Sequence, residues 1–324
     1  MAIAIVHSLT LKETAVNENP YEEALVMLPH LRLPGTRWHL FEICDLPLPP
    51  FLQSALQETL TTQWTSRLPH LQIVPPATHA AKLVAELLTS LTLTSGPNWK
   101  VIDFCSGSGG PTPFIELTVN DQRRRAGHKE VPFLLSDLYP SLDAWILHAS
   151  RSENLTFIPN SVNAANPPFA AISPTTQGDK ELAKEAGFVH DDAKVMRLFC
   201  LAFHHFDDEV ARKVLKSTME TSDAVVVLEL QERGLWSLAA MLGEFFLVAL
   251  MTIWWFPLSW ETLPRWLFTY WIPIIPFIHA YDGFVSCLRT RTFGEFINLI
   301  DDVMGRSHDT EIQGVGVSVR RAIS

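Results

Sequence analysis

The chain has 324 residues, 47% of them apolar and 19% charged, a composition that folds and excludes a disordered chain. Its formal net charge of −10 offers no general attraction to nucleic acid or anionic lipid. The four cysteines, Cys44, Cys105, Cys200 and Cys287, stand far apart without a CxxC pair, which excludes a zinc ribbon and a disulfide framework. The first ten residues lack a basic segment ahead of a long apolar one, so no signal peptide is read and a cytoplasmic protein is expected.

In chain order, Tyr21–Leu31 has an amphipathic helical pattern and Pro34-Gly35 marks a turn. The prolines of Leu46–Pro50 make an extended link, and Phe51–Trp64 has apolar residues at helical spacing. No strand pattern stands out over residues 1–76, which read as a helical N-terminal extension. Residues 77–324 read as one α/β domain. Thr78–Leu93 is an amphipathic helix with Thr78 in place to cap it. The stretch VIDFCSGSGGP (101–111) is an apolar strand that runs into clustered glycines, and Thr112–Arg125 follows as a helix with a basic, solvated end.

Strands are then expected at Val131–Ser136, Leu155–Pro159, Val195–Phe203 and Ala224–Leu230. Helices are expected at Ser141–Ser152, Asp207–Thr221 and Phe293–Val303, a polar loop at Pro174–Asp192 and a closing strand at Gly314–Arg320. This alternation predicts a doubly wound, mostly parallel Rossmann-like sheet. An apolar insertion occupies about 235–290. Within it Phe245–Trp260 and Trp266–Tyr281 carry no Asp, Glu, Lys or Arg, but prolines interrupt both runs. A lid over the strand ends or a homodimer contact is favoured; peripheral membrane contact through 245–281 is the alternative, which the tryptophans of 254–271 would suit.

A strand, a glycine turn and a helix bring a nucleotide-like ligand to strand ends and a helix N-terminus. With its neighbours in place, VIDFCSGSGG (101–110) is similar to the first motif of the class I S-adenosylmethionine-dependent methyltransferases. RLFCLAFHHF (197–206), LEL (228–230) and TYWIPIIPFIHAYDGFVSCLRTRT (269–292) resemble a subgroup with an apolar insertion after the fifth strand. The resemblance implies S-adenosylmethionine as cofactor. It places Asp103, Cys105, Gly107 and Gly109 at the turn, with Cys105 where the family has a glycine. Asp137 matches the acid that holds the ribose hydroxyls, and Asn163-Ala164 fills the place of the acid and small residue near adenine.

His204 and His205 follow the fourth of these strands, where the family places groups near the transferred methyl. Either imidazole has the chemistry to take a proton from an attacking hydroxyl or amine; the alternative is packing and capping. The sequence places no further ligand beside the pair, so no metal is expected. Asp282-Gly283 and Arg289 admit a turn with an ion pair or substrate contact equally. Cys105 reads as a small buried residue rather than a nucleophile.

The expected activity is methyl transfer to O or N of a small, hydrophobic molecule. The sequence names neither the acceptor nor its pathway. The competing readings are a non-catalytic protein of the same fold that binds cofactor, membrane or partner, and a serine hydrolase using Ser108. For the hydrolase the elbow reads S-x-S-x-G instead of G-x-S-x-G. A dinucleotide oxidoreductase lacks its third glycine, which would fall at Thr112.

Overall fold

The computed structural model describes the backbone of residues 2–7 and residues 37–68, 72–174 and 193–305. The helix read at Tyr21–Leu31, the Pro34-Gly35 turn, nearly all of the Pro174–Asp192 loop and the closing strand at Gly314–Arg320 lie outside the described residues.

Six strands are described: β1 (Ala2–His7), β2 (Trp99–Phe104), β3 (Phe133–Ser136), β4 (Leu155–Phe157), β5 (Lys194–Cys200) and β6 (Ala224–Glu229). They form one sheet in the order β1-β6-β5-β2-β3-β4, and each neighbouring pair is parallel. The chain winds outwards from β2 to β4, then returns to lay β5 on the other side of β2. The strand order therefore reverses between β2 and β5, the place where such sheets bind ligands.

Burial on both faces explains the apolar runs. β6 sends Ala224, Val226 and Leu228 into one core and Val225 and Val227 into the other, at the two-residue period of a strand. The first core is closed by α2 (Pro76–Ser95), α3 (Thr112–Arg125) and Trp145 of α4 (Leu142–Ala149). The second is closed by α5 (Asp208–Thr221) and, near the C-terminal end of the described chain, by Phe293–Met304. Asp207 caps α5 by accepting from the Val210 amide. Thr292 and Glu295 form a reciprocal capping box on Phe293–Met304.

A third, separate cluster lies outside the sheet. It joins Leu52, Ala55 and Leu56 of α1 (Pro50–Thr65) to Val248 of α6 (Leu235–Trp255) and to Ile275 and Ile278 farther on. Those last residues follow α7 (Leu263–Trp266), a π-helical turn at Leu267–Trp271 and Pro273, and they open α8 (Ile274–Arg289); Phe293–Met304 is then α9. Buried Arg265 fastens α7 to α1: it donates to the Ala55 carbonyl (2.8 Å) and Thr59 Oγ1 (2.6 Å), pairs with Glu58 and stacks on Phe256. The insertion and the N-terminal helix thus fold together as a cap.

Three readings change. Residues 1–76 contain a strand, β1, whose alanine- and isoleucine-rich run pairs along the β6 edge. Helix α2 begins at Pro76, so Thr78 sits inside its first turn and Pro75 takes the cap position without a side-chain bond. Asp282-Gly283 is interior to α8 rather than a turn; a Cβ at Gly283 would press on Met241, so the glycine lets α6 and α8 approach.

Candidate functional site

The glycine turn follows β2 directly. Its backbone takes positive φ at Cys105 (62°), Gly107 (54°), Gly109 (111°) and Gly110 (47°). Such angles cost a non-glycine residue roughly 1–2 kcal/mol. Cys105 thus holds the turn in a conformation that glycine would adopt without strain. Its thiol is pushed well above the usual range by desolvation, then by Asp137 and Asp103, which suits an inert, half-buried residue. Leu201, just past the neighbouring strand β5, is the other described non-glycine residue with positive φ (49°). The two strained positions therefore flank the β2–β5 reversal.

Asp103 is fully buried in β2. Its Oδ2 accepts from Thr112 Oγ1 at 2.6 Å, while Oδ1 has no hydrogen-bond partner among the described residues. Burial pushes this carboxyl up to about 7, against the opposing hydrogen bonds of Thr112 and Ser106. Asp137, at the end of β3, accepts from the Gly107 amide (2.8 Å) and the Tyr139 amide (2.8 Å). Its backbone carbonyl accepts from Val162, which brings the Asn163-Ala164 loop alongside. Asn163 Oδ1 accepts from the Ala165 amide (2.9 Å), so that side chain shapes its own loop. Asp103, Cys105, Gly107, Gly109, Asp137, Asn163 and Ala164 thus gather at the ends of β2, β3 and β4.

The turn is covered as well as formed. Trp145 Nε1 donates to the Gly107 carbonyl (2.9 Å), and Ser108 Oγ donates to Gln57 Oε1 of α1 (2.8 Å). An amide oxygen cannot take the proton that a serine nucleophile must lose; among the described residues His148 reaches the Ser108 backbone, and the hydroxyl itself is bonded to Gln57.

His204 and His205 lie in a short 3₁₀ turn (Phe203–His205) beyond β5, away from the glycine turn. His204 is buried, and its Nδ1 lies 2.8 Å from Oε2 of Glu229, the last residue of β6; its amide donates to Glu229 Oε1 (3.1 Å). Burial lowers the His204 pKa, but Glu229 and then Glu42 outweigh it, and the net direction is up. The His205 side chain is 32% exposed, and its Nδ1 lies 3.0 Å from Asp45 Oδ1. Of the two rings, only His205 is open enough to meet a substrate.

Glu42 and Asp45 were not singled out in the sequence. They ride on a strap, residues 37–48, that crosses the ends of β5 and β6 and is fastened to α8. The Trp38 amide donates to the Leu288 carbonyl (3.2 Å), and the Ile43 and Cys44 amides donate to the Asp282 carboxylate (2.6 and 3.0 Å). Arg289 is buried and spans Glu42 Oε1 (3.1 Å) and Asp45 Oδ2 (2.9 Å). The ion-pair reading of Arg289 describes the structure, but the pair is internal rather than at the surface. Nothing in residues 37–48 alone signals this, because the partners are more than 150 positions away.

No protein-family model and no curated protein sequence matches the chain. Among solved structures it is similar to the plantazolicin methyltransferase BpumL in complex with a triazolic desmethylPZN analog and SAH: 15% identity, TM-score 0.36, 80% of this chain and 78% of that one. It is also similar to PKMT2 from Rickettsia typhi in complex with AdoHcy: 12% identity, TM-score 0.26, 78% of this chain but only 41% of that one. Neither similarity is close enough to decide the fold; the order β4-β3-β2-β5-β6, with the glycine turn after its central strand and an acid ending the next, does so. The fold is a doubly wound, Rossmann-like parallel sheet. In this fold the glycine turn follows β2 and the histidine pair follows β5, and the cap touches each, through Gln57 at Ser108 and through Arg289 at His205.

Proposed function

We propose that the chain transfers a methyl group from S-adenosylmethionine to an oxygen or nitrogen of a small hydrophobic molecule. The observation that carries this reading is the glycine turn with its two acids at the β2–β5 reversal. The fit to the cofactor rests on Asp103 Oδ1, a buried acceptor without a partner, which an amino group would satisfy directly or through water. Asp137 retains lone pairs for a vicinal diol beside its two amide bonds, and we assign the adenine to the neighbouring Asn163-Ala164 loop. When bound, the cofactor supplies an electrophilic methyl group.

The remaining work belongs to the chain. His205 takes the proton of the attacking hydroxyl or amine, and Asp45 and Arg289 at Nδ1 orient its ring. His204, locked on Glu229, positions the turn that carries His205. The cap excludes water from the sulfonium and strengthens the local electrostatics. Calorimetric titration with S-adenosylhomocysteine tests the reading: wild type binds, while Gly107→Val and Asp137→Ala do not or bind at least tenfold more weakly. A wild type that binds neither S-adenosylhomocysteine nor S-adenosylmethionine ends it.

The cap's outer face favours attachment to a membrane surface. Leu242, Phe246, Leu250 and Trp254 form one exposed stripe along α6, continued by Leu258, Trp260 (89% exposed), Trp271 (84%) and Phe277. By length and composition α6 is able to cross a membrane. Its other face, however, packs on α1 and α8, and Glu244 bonds to Gln63. A helix apolar on one side and packed on the other lies in the interface, with its tryptophans at headgroup depth. Lysine and arginine are absent from residues 234–264, so neutral lipid suffices. The protein would then work at the cytoplasmic face of a membrane on acceptors dissolved there. Flotation with phosphatidylcholine vesicles, unchanged by salt and lost in Trp260→Glu/Trp271→Glu, supports this. A lipid-indifferent homodimer that the same double variant dissociates overturns it.

A further inference from the structure

The two histidines beyond β5 share one arrangement. Each presents Nδ1 to a carboxylate, His204 to Glu229 at 2.8 Å and His205 to Asp45 at 3.0 Å. A neutral ring with its proton on Nδ1, bonded to that carboxylate, has its lone pair on Nε2; at His205 the Arg289 guanidinium also lies 3.3 Å from Nδ1 and competes with Asp45 for it. Both Nε2 atoms face a single carboxylate, Glu42: His204 Nε2 lies 3.7 Å from Oε1, and His205 Nε2 lies 3.7 Å from Oε2.

A gap of 3.7 Å is beyond hydrogen-bond range, so neither ring is bonded directly to Glu42. The same gap is close to the spacing of two ligands on one metal ion. Donors about 2.0–2.2 Å from a tetrahedral ion stand about 3.3–3.6 Å apart. The three ligand atoms converge within 4.8 Å of one another. Nδ1 held by a carboxylate is also how metal-bound histidines are oriented in general.

The surroundings hold the ligands and leave a charge to be met. Glu42 is buried, aimed by Ser286 Oγ (3.0 Å) and by the Asp282 clasp on the amides of the next two residues. Glu42 and Asp45 pair with Arg289, and Arg291 lies within electrostatic reach of Glu229. Negative charge is in excess while both imidazoles are neutral. Arg289 already lies on Glu42 Oε1, and it would stay there as an outer partner whose charge weakens ion binding.

We propose that Glu42, His204 and His205 form a binding site for a divalent transition-metal ion of the zinc class. Two nitrogens and one oxygen suit such an ion better than magnesium or calcium, and three protein ligands leave a coordination position open. An acceptor oxygen in that position would be activated by the ion, which would replace His205 as the group that lowers the cost of losing its proton. That consequence rests on the methyl-transfer reading; the site itself does not.

The test uses the full chain, freed of metal by chelator and titrated with Co²⁺ in the absence of cofactor. A visible d–d spectrum of a low-coordinate ion, saturating at one equivalent and bleached by Zn²⁺, is expected. Glu42→Gln and His205→Ala should abolish it, and Asp45→Asn should weaken binding about 10–100-fold. Folding of each variant is checked by circular dichroism. A rise in the wild-type melting temperature with Zn²⁺ gives a second readout should a variant not fold. Absence of a saturable spectrum in wild type, or an unchanged one in Glu42→Gln and His205→Ala, overturns the proposal. Failure to bind S-adenosylhomocysteine would leave this outcome untouched, so the two readings fail separately.

Discussion

At the ends of β2 and β3 the bonds that shape the site are short-range: Gly107 to Asp137 spans 30 positions, and Thr112 to Asp103 spans nine. They run mostly from backbone amides and hydroxyls. At the ends of β5 and β6 His204 to Glu229 spans 25 positions, but the bonds to the strap span 160 from His205 to Asp45 and 244 from Arg289 to Asp45, and all join charged groups or a carboxylate and an imidazole. The first half is a local motif whose shape is set by backbone angles. The second is assembled from three separate parts of the chain, and its buried charges have value only in each other's presence. Loss of one member should therefore cost more in the second half than in the first.

Arg289→Leu is the strongest attempt to break that contrast. It leaves Glu42 and Asp45 without their cation, and about 5 kcal/mol of stability should be lost in urea unfolding. A loss under about 1 kcal/mol would mean that the cluster is solvated and the contrast false.

Asp103 is the one group of the first half with a large electrostatic stake. Its folded pKa, about 7, lies above the unfolded value of 3.8, so the fold favours the protonated form. Its contribution is complete below the unfolded value and disappears as pH rises through about 7. The shift corresponds to about 4 kcal/mol between these limits. Urea midpoints for wild type should fall between about pH 4.5 and about pH 7.5, whereas Asp103→Asn should flatten that fall.

Asp137→Ala removes two amide bonds of a pre-shaped turn without unpairing a buried charge. About 2 kcal/mol should go from S-adenosylhomocysteine affinity and about 1–2 kcal/mol from stability, read by calorimetry and urea unfolding. Cys105→Gly has the smallest expected effect and the opposite sign. Relief of the positive φ should stabilise the chain by about 1 kcal/mol or slightly less, seen as a raised melting temperature. If the variant is less stable than wild type, the half-buried thiol's packing outweighs the strain.

The strands from β2 to β6 were legible because buried parallel strands are continuous apolar runs, bounded here by glycines and acids. The Thr112–Arg125 helix was read to its boundaries for a similar reason, with Pro111 before it and a basic end. β1 was missed: six short apolar residues at the N-terminus gain strand character only from pairing with β6. Asp137 was found from its place one strand after the glycines. Glu42 was not, because an acid in a strap without periodicity looks like any surface acid until the strap is laid over β5 and β6.

By itself the sequence determined the alternation of strands and helices over β2–β6, the glycine turn and the apolar character of 235–290, since these follow from residue spacing within one segment. Tertiary structure alone decided that α1 and the insertion form one cap, that Arg289 is an internal cation, and that Glu42 meets both histidines. Those are contacts between distant segments, and burial, which gives each charge its energy, exists only once the segments have come together.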